Sequence, residues 1–391
     1  MNAAGWLRRC LLPKGQAGAE SGRTETARSG VGRMNPTRMY LERQMLAHVG
    51  VWLPVGAVVF GIACGLALVA AVGVPLRDAI GAFAEGAWGS EYAIAASANR
   101  ALALGLVGLG FILAHRANLT NVGGEGQIAI GGIAAAAVSL YGGAAHLAGA
   151  LAFVVPMLAA LLAGGLWGAI AGLLKVRFGT NEVISTLLLS FVAVWILYGC
   201  VQSEALLRQP MTDSATLPES LEIPEATHIP LLSGDSAVPL HVGLLIALAL
   251  ALIVAVVLNK SVVGVRLRAV GLNPVAARRA GLAITSSILL VMFFAGAFGG
   301  LAGAFMLQGE QFVLKARFSS GYGFDGLVVG LLARGSVKGV IASALLFGFL
   351  RSGGISMEMV AGVPSAIVLI IQGLIILTLA GAAFWIERQQ R

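Results

Sequence analysis

Apolar residues along this chain fall in long runs rather than at the spacing of half-buried elements. Ten stretches, at roughly 49–72, 93–114, 127–142, 147–173, 182–201, 241–258, 283–307, 321–333, 338–352 and 362–385, are apolar on nearly every side. A helix needs about 20 such residues to cross hydrocarbon. Helix is the single-segment solution there, because each backbone polar group must find its partner within the segment. The pattern therefore predicts an all-α, polytopic membrane protein with about ten transmembrane helices. The third, eighth and ninth runs are short and broken by glycine. Interrupted spans of this kind bare their backbone to a cavity rather than to lipid.

The segments between the runs set the orientation. Residues 259–281 carry Lys260, Arg266, Arg268, Arg278 and Arg279 and no acid, whereas 202–240 carries Glu204, Asp213, Glu219, Glu222, Glu225 and Asp235 against Arg208. An excess of Lys and Arg marks the cytoplasmic side. The first loop is thus expected inside and the second outside, with Lys175, Arg177, Arg334 and Lys338 also inside and both termini cytoplasmic. Pro210, Pro218, Pro224, Pro230 and Pro239 exclude a long helix from the outer loop and predict an irregular cap with at most a short helical turn. Residues 1–45 read as a basic cytoplasmic extension and 46–386 as the membrane domain, with an outer loop at 202–240 and a cytoplasmic loop at 259–282. "MNPTRMYLERQ" from Met34 reads like a natural start, so the first 33 residues are expected to be dispensable and disordered.

Composition changes this picture little. The chain is 58% hydrophobic and 11% charged, with mean hydropathy +0.89, against about 25% charged in ordinary soluble domains. Its net charge of +8 lies in the extension and beside the apolar runs, which argues against a nucleic-acid partner. Cys10, Cys64 and Cys200 form no CxxC and the five histidines no HExxH, so no metal site is expected. Small residues in Gly61/Gly65, Gly164/Gly168/Gly172, Gly296/Gly300 and Gly299/Gly303 predict close helix packing.

Polar residues within the runs are the candidate functional groups, since an ionisable side chain in a span costs about 2.5–3.5 kcal/mol on insertion scales. Glu125 in "NVGGEGQ" and Glu182 in "FGTNEVIST" each open a span at an expected cytoplasmic end. Asn181 is placed to cap the second of these, with Ser185 and Thr186 following. Asn99, Asn118, Asn121, Glu125, Gln127 and Glu182 are taken as candidates for a translocation pathway. The competing reading is capping and helix–helix hydrogen bonding. Arg100 implies either a later helix start or a wet cavity. Glu125-Gly126 and Asp325-Gly326, each followed by apolar residues and another glycine, hint at an internal repeat. In "NPVAARRAG", Asn273 suits an N-cap, Pro274 the first helical position and Gly281 the residue beyond the end, which predicts a very short helix. Enzyme motifs are missing, GxxxxGK[ST] among them, so any ATP-driven transport needs a second chain to hydrolyse the ATP.

Four blocks, "NLTNVGGEGQIAIGG" (118–132), "GTNEVISTLLLSFVA" (179–193), "GVRLRAVGLNPVAARRAGL" (264–282) and "GYGFDGLVVGLLARGSVKGVIASALLFGFL" (321–350), together resemble the permease subunits of bacterial ABC importers, in the branch serving nucleosides and simple sugars and related to the branched-chain amino acid permeases. The chain departs from the family at Ser190, where Asn is expected, and in "RGSVKG". The resemblance implies a multi-pass protein of the cytoplasmic (inner) membrane that moves a small polar solute, a nucleoside or a simple sugar. It implies a second homologous permease, cytoplasmic ATPase subunits that bind the ATP and Mg, an extracytoplasmic substrate-binding protein, and no cofactor on this chain. Arg268, Gly271, Asn273, Pro274, Ala276, Ala277 and Gly281 would then form the segment that couples to the ATPase. The alternative is a stand-alone secondary transporter, which needs an ion-coupling acid in mid-span, and the runs show none clearly.

Overall fold

The computed structural model describes residues 56, 59–212 and 216–390; the extension and most of the first run's leading half lie outside them. Helices appear where the apolar runs predict them: α1 Val59–Ala71, α3 Glu91–Arg116, α4 Gly124–Tyr141, α5 Leu151–Phe178, α6 Glu182–Gln202, α7 Gly243–Lys260, α10 Ile284–Met306, α11 Tyr322–Leu332, α12 Val337–Ala361 and α13 Ser365–Gln390. Three more lie between them: α2 Leu76–Trp88, α8 Val262–Leu272 and α9 Pro274–Arg279. The described residues form no named strand, only isolated bridges. Six helices (α3, α5, α6, α7, α10 with its extension to Gln311, and α12) are long and apolar enough to cross a membrane. The ninth run is not short: α12 continues through the Gly353–Gly354 pair to Ala361, because the sequence offers no helix stop before Gly362, which takes φ +67°. Helix α2 was not anticipated, since it mixes Arg77, Asp78 and Glu85 with alanines and lacks a long apolar run.

Glycine sets the centre of the bundle. The most extensive helix contact is between α5 and α10, where Gly164 and Gly168 face Gly296 and Gly300. A Cβ on Gly300 would lie 2.1 Å from the Ala160 carbonyl, and one on Gly296 would lie 2.2 Å from that of Gly164. Lipid provides little hydrophobic drive between helices, so such backbone-to-backbone packing supplies the attraction. Helix α4 crosses the same seam, with Gly131 against Gly300 and Gly303 against the Ile128 carbonyl.

The outer loop folds as an irregular cap with a short 3₁₀ turn, Glu225–Thr227. It is fastened to the end of α10 and the segment after it. Gln308 donates to the carbonyls of Thr227 (2.7 Å) and Phe153 (3.1 Å), Ile223 N–H to Phe312 and Ser220 N–H to Leu314. His241 closes the cap at the entry to α7. Its Nδ1 accepts the Gly243 N–H at 3.1 Å.

Gly300→Val is expected to force α5 and α10 apart and lower the stability of detergent-solubilised protein by at least about 1–3 kcal/mol. Gly199→Val, where nothing lies within 4 Å, is the control. Equal melting temperatures for the two variants would contradict the role given to the glycine seam.

Candidate functional site

Two helices begin inside the bundle rather than at its surface. After α3 ends at Arg116, residues 117–123 turn back along it, and α4 starts beside Val107 of α3. A Cβ on Gly124 would meet Val107 Cγ1 at 2.9 Å and the Gly323 carbonyl at 3.0 Å. Gly299, on the α10 seam that packs near the midpoint of α5, touches Gln127. From the other side, α10 runs into a π turn, Leu307–Gln311. Residues 312–320 then lead from beneath the 202–240 loop into the bundle, and α11 begins at Tyr322 alongside α4's own start. A Cβ on Gly323 would sit 1.9 Å from the Glu125 nitrogen, so no other residue fits there. The 18-residue α4 and the 11-residue α11 meet N-terminus to N-terminus.

Each helix N-terminus carries a partial positive charge of about half a unit, so this meeting is repulsive unless an anion intervenes. Glu125 is that anion. Its Oε1 accepts the Gly321 N–H at 2.9 Å and its Oε2 the Gly323 N–H at 2.8 Å, while its position in the first turn of α4 favours that helix too. Asn121 and Gln127 exchange hydrogen bonds of 3.1 Å in both directions, and Asn121 Oδ1 also accepts the Gly123 N–H. Helix α6 supports the turn from the side: the Thr186 hydroxyl accepts from Val122 N–H and Ser190 Oγ from Gly126 N–H. A Cβ on Gly126 would lie 2.6 Å from the Ser190 Cα, so the small side chain at 190 lets α6 approach.

The six candidate residues therefore divide. Asn121, Glu125 and Gln127 come together where α4 begins, between the start of α11 and the first turns of α6. Glu182 stays at the start of α6, paired with Lys175 at 2.6 Å, near Asn181, which caps Val183 N–H. Asn118 takes φ +57° at the inner turn and lines a pocket with Arg116, Arg268, Gly271 and Arg334. Asn99 is buried in α3 and donates to the Pro239 carbonyl of the cap at 2.6 Å.

Arg100 is well inside α3 and is not a helix start. It meets Glu310 at 3.0 Å and donates to Ser352 Oγ at 2.6 Å. Arg351 on α12 pairs with Asp325 at 2.6 Å and stacks 3.9 Å over Tyr322. Two acids and two bases thus tie α3, the π turn, α11 and α12 together. The sequence held the signal: Arg100, Asp325 and Arg351 interrupt apolar runs in numbers that allow charge pairing. Carboxylates do lie at bundle depth, but Glu125 and Asp325 are each engaged by partners of this chain. Among the described residues no His, Cys, Asp and Glu group could hold a metal ion.

Below the bundle, the short helix forms as expected. Asn273 Oδ1 accepts the Ala276 N–H at 3.0 Å, and Gly281 takes φ +80°. Gly271 packs on the Arg116–Asn118 backbone and fixes α8 beneath α3. Ala277 is 4% exposed and packs within this chain, whereas Leu272 and Val275 are 77% and 62% exposed. Of the two alanines, only Ala276 faces outward.

Residues 93–380 match the family of branched-chain amino acid transport system permease components. A guanosine ABC transporter permease protein of Bacillus subtilis, NupP, is 34% identical over 86% of this chain and 94% of its own length. A glucose ABC transporter permease protein of Haloferax volcanii, TsgB13, is 34% identical over 86% and 90%, and a nucleoside ABC transporter permease protein of Lactococcus lactis, NupB, 30% over 84% and 90%. No solved structure matches the chain. The chain belongs to this permease family.

Removing the Glu125 carboxylate leaves the buried Gly323 N–H and the part-buried Gly321 N–H unpaired, at up to about 1–3 kcal/mol each. Glu125→Ala is expected to lower the melting temperature strongly, and Glu125→Gln, which keeps acceptor capacity but not the charge, by less. An Ala variant as stable as the parent would refute the bridging role.

Proposed function

We propose that this chain is the membrane subunit of an ATP-driven importer for nucleosides. It would work with a second, homologous permease, cytoplasmic ATPase subunits and an outer binding protein that delivers the solute. The observation that carries the transport reading is the head-to-head junction of α4 and α11. Non-helical backbone at bundle depth is tolerated where protein or water covers it, and half-helices flanking such breaks are a recurring device of transport proteins. Nucleosides are favoured over sugars because guanosine and nucleoside permeases from two organisms are among the relatives; the glucose permease sustains the simple-sugar reading as the rival.

With this function the chain crosses the cytoplasmic membrane ten times, and both termini are cytoplasmic. Two crossings are composite: residues 117–123 with α4, and 312–320 with α11. ATP and Mg would reside on the ATPase subunits, and this chain would bind no cofactor. The paired state of Glu125 and Asp325 speaks against a stand-alone transporter, which needs a carboxylate free to take up and release an ion.

At the inner face, α8 and α9 form the docking element for the ATPase. Leu272 and Val275 provide an apolar tip, with Ala276 small enough for close approach and Arg278 and Arg279 beside it. Asn273, Pro274 and Gly281 shape the helix, while Arg268, Gly271 and the buried Ala277 seat it on this chain.

The complex in proteoliposomes is expected to take up labelled guanosine in an ATP-dependent manner, with competition by other nucleosides and none by glucose. Competition by glucose alone would favour the sugar reading. Leu272→Asp or Val275→Asp should weaken ATPase association by about tenfold, equivalent to ~1.4 kcal/mol, without altering membrane insertion. Unchanged ligand-stimulated ATP hydrolysis in both variants would argue against this docking element.

A further inference from the structure

The pathway face of the chain is legible from what it leaves uncovered. Exposed positions on α5, α6 and α7 carry Leu166, Trp195 and Leu252, which lipid solvates well. The segment after the π turn differs. It starts under the cap, where Ile223 and Ser220 N–H groups reach Phe312 and Leu314, and ends at the helix junction, where Gly321 N–H reaches Glu125. Leu314 and Phe318 are buried along it, Phe318 against Gly132 of α4, while Lys315, Arg317 and Ser320 are exposed. Lys315 bridges Glu219 of the cap, and below it irregular backbone with the exposed Arg317 is unsuited to lipid. The Arg351–Asp325 pair abuts the lower end of the strip, with Arg351 also donating to the Ser320 carbonyl. Immediately below, at the helix junction, Phe324 is 38% exposed, and one turn pair further in Leu331 is 51% exposed. The stripe then ends at the inner Arg334.

We propose that Lys315, Arg317, Ser320, Phe324 and Leu331 line the water-filled side of this chain, and that Phe324 is the constriction separating its outer and inner reaches. The stripe is polar above Phe324 and apolar below it, and an apolar ring between two wet reaches closes a path by excluding water. The residues first singled out for the pathway, Asn121, Glu125 and Gln127, stand behind this surface and hold its backbone in place.

The proposal rests on the transport reading, and its test separates the two. Cys10, Cys64 and Cys200 are replaced by Ser, and single cysteines are placed at Ser320, Phe324 and Leu331, with Leu166, Trp195 and Leu252 as lipid-facing controls. The assembled importer in cells is exposed from outside to a charged, membrane-impermeant methanethiosulfonate, and guanosine uptake is measured in parallel. Ser320→Cys should react at least about tenfold faster than the controls, because the reactive thiolate forms where water reaches it. Leu331→Cys should react slowly in the resting complex and faster once Phe324→Ala is added. Ser320→Cys as slow as Trp195→Cys overturns the assignment of the face. A Leu331→Cys rate unmoved by Phe324→Ala overturns the constriction. Ser320→Cys is nearly isosteric, so the first arm survives any folding defect of the Phe324 variants. A reactive stripe without guanosine uptake counts against the proposed function alone, and full uptake with an unreactive stripe against the stripe alone.

Discussion

One carboxylate holds together what would otherwise repel. Helices α4 and α11 begin face to face inside the bundle, and the partial charges at their N-termini are alike. Glu125 belongs to the first turn of one and accepts two backbone N–H groups from the start of the other, so a single charge serves both. The arrangement requires glycine on each side, at Gly124 and Gly323, since any side chain at 323 would overlap the Glu125 backbone. Everything that surrounds the junction follows: the Asn121–Gln127 pair closes the turn before α4, and Thr186 and Ser190 of α6 satisfy the N–H groups that the turn leaves over.

The rest of the bundle isolates this junction from lipid and connects it to both faces. Glycine-to-glycine packing of α5 on α10 brings a continuous wall against α4. On the outer side, the cap bonds directly to Phe312 and Leu314, the top of the segment that leads down to α11. On the inner side, Gly271 seats α8 on the turn that leads up to α4. Each of the two helices is therefore linked through a few residues of irregular backbone to the elements that precede it. The charge pairs Arg100–Glu310 and Arg351–Asp325 fix α11 laterally against α3 and α12, and leave its Phe324–Leu331 side uncovered.

Much of this was legible from the residues. Apolar runs located the principal helices to within a few residues, apart from the far end of α12, because a segment in hydrocarbon has no alternative to helix. "NPVAARRAG" announced its cap, its first residue and its end, since those are local chemistry. The acid–Gly pairs at Glu125 and Asp325 both proved to lie in the first turns of the two helices that meet. The meeting of α4 and α11 was not legible: nothing local in "ANLTNVGG" says that the helix it opens will start against the start of another. Partners were not legible either: Arg100 looked anomalous because Glu310 lies 210 positions on in the sequence, and proximity across helices has no periodic signature. The small α2 was missed for want of an apolar run, and Ala277 turned out to face its own chain because helix rotation depends on what the helix rests upon.

The most direct test is a structure of the complete importer in a lipid nanodisc, with the bilayer density giving depth independently of any sequence rule. The account predicts that the Glu125 carboxylate lies near the middle of the bilayer, within hydrogen-bonding distance of the Gly321 and Gly323 nitrogens, and that the adjacent Phe324 side borders a water-filled space toward the second permease. A full-length α4 starting at the inner membrane surface, with Glu125 in contact with the cytoplasm and apart from α11, would contradict it.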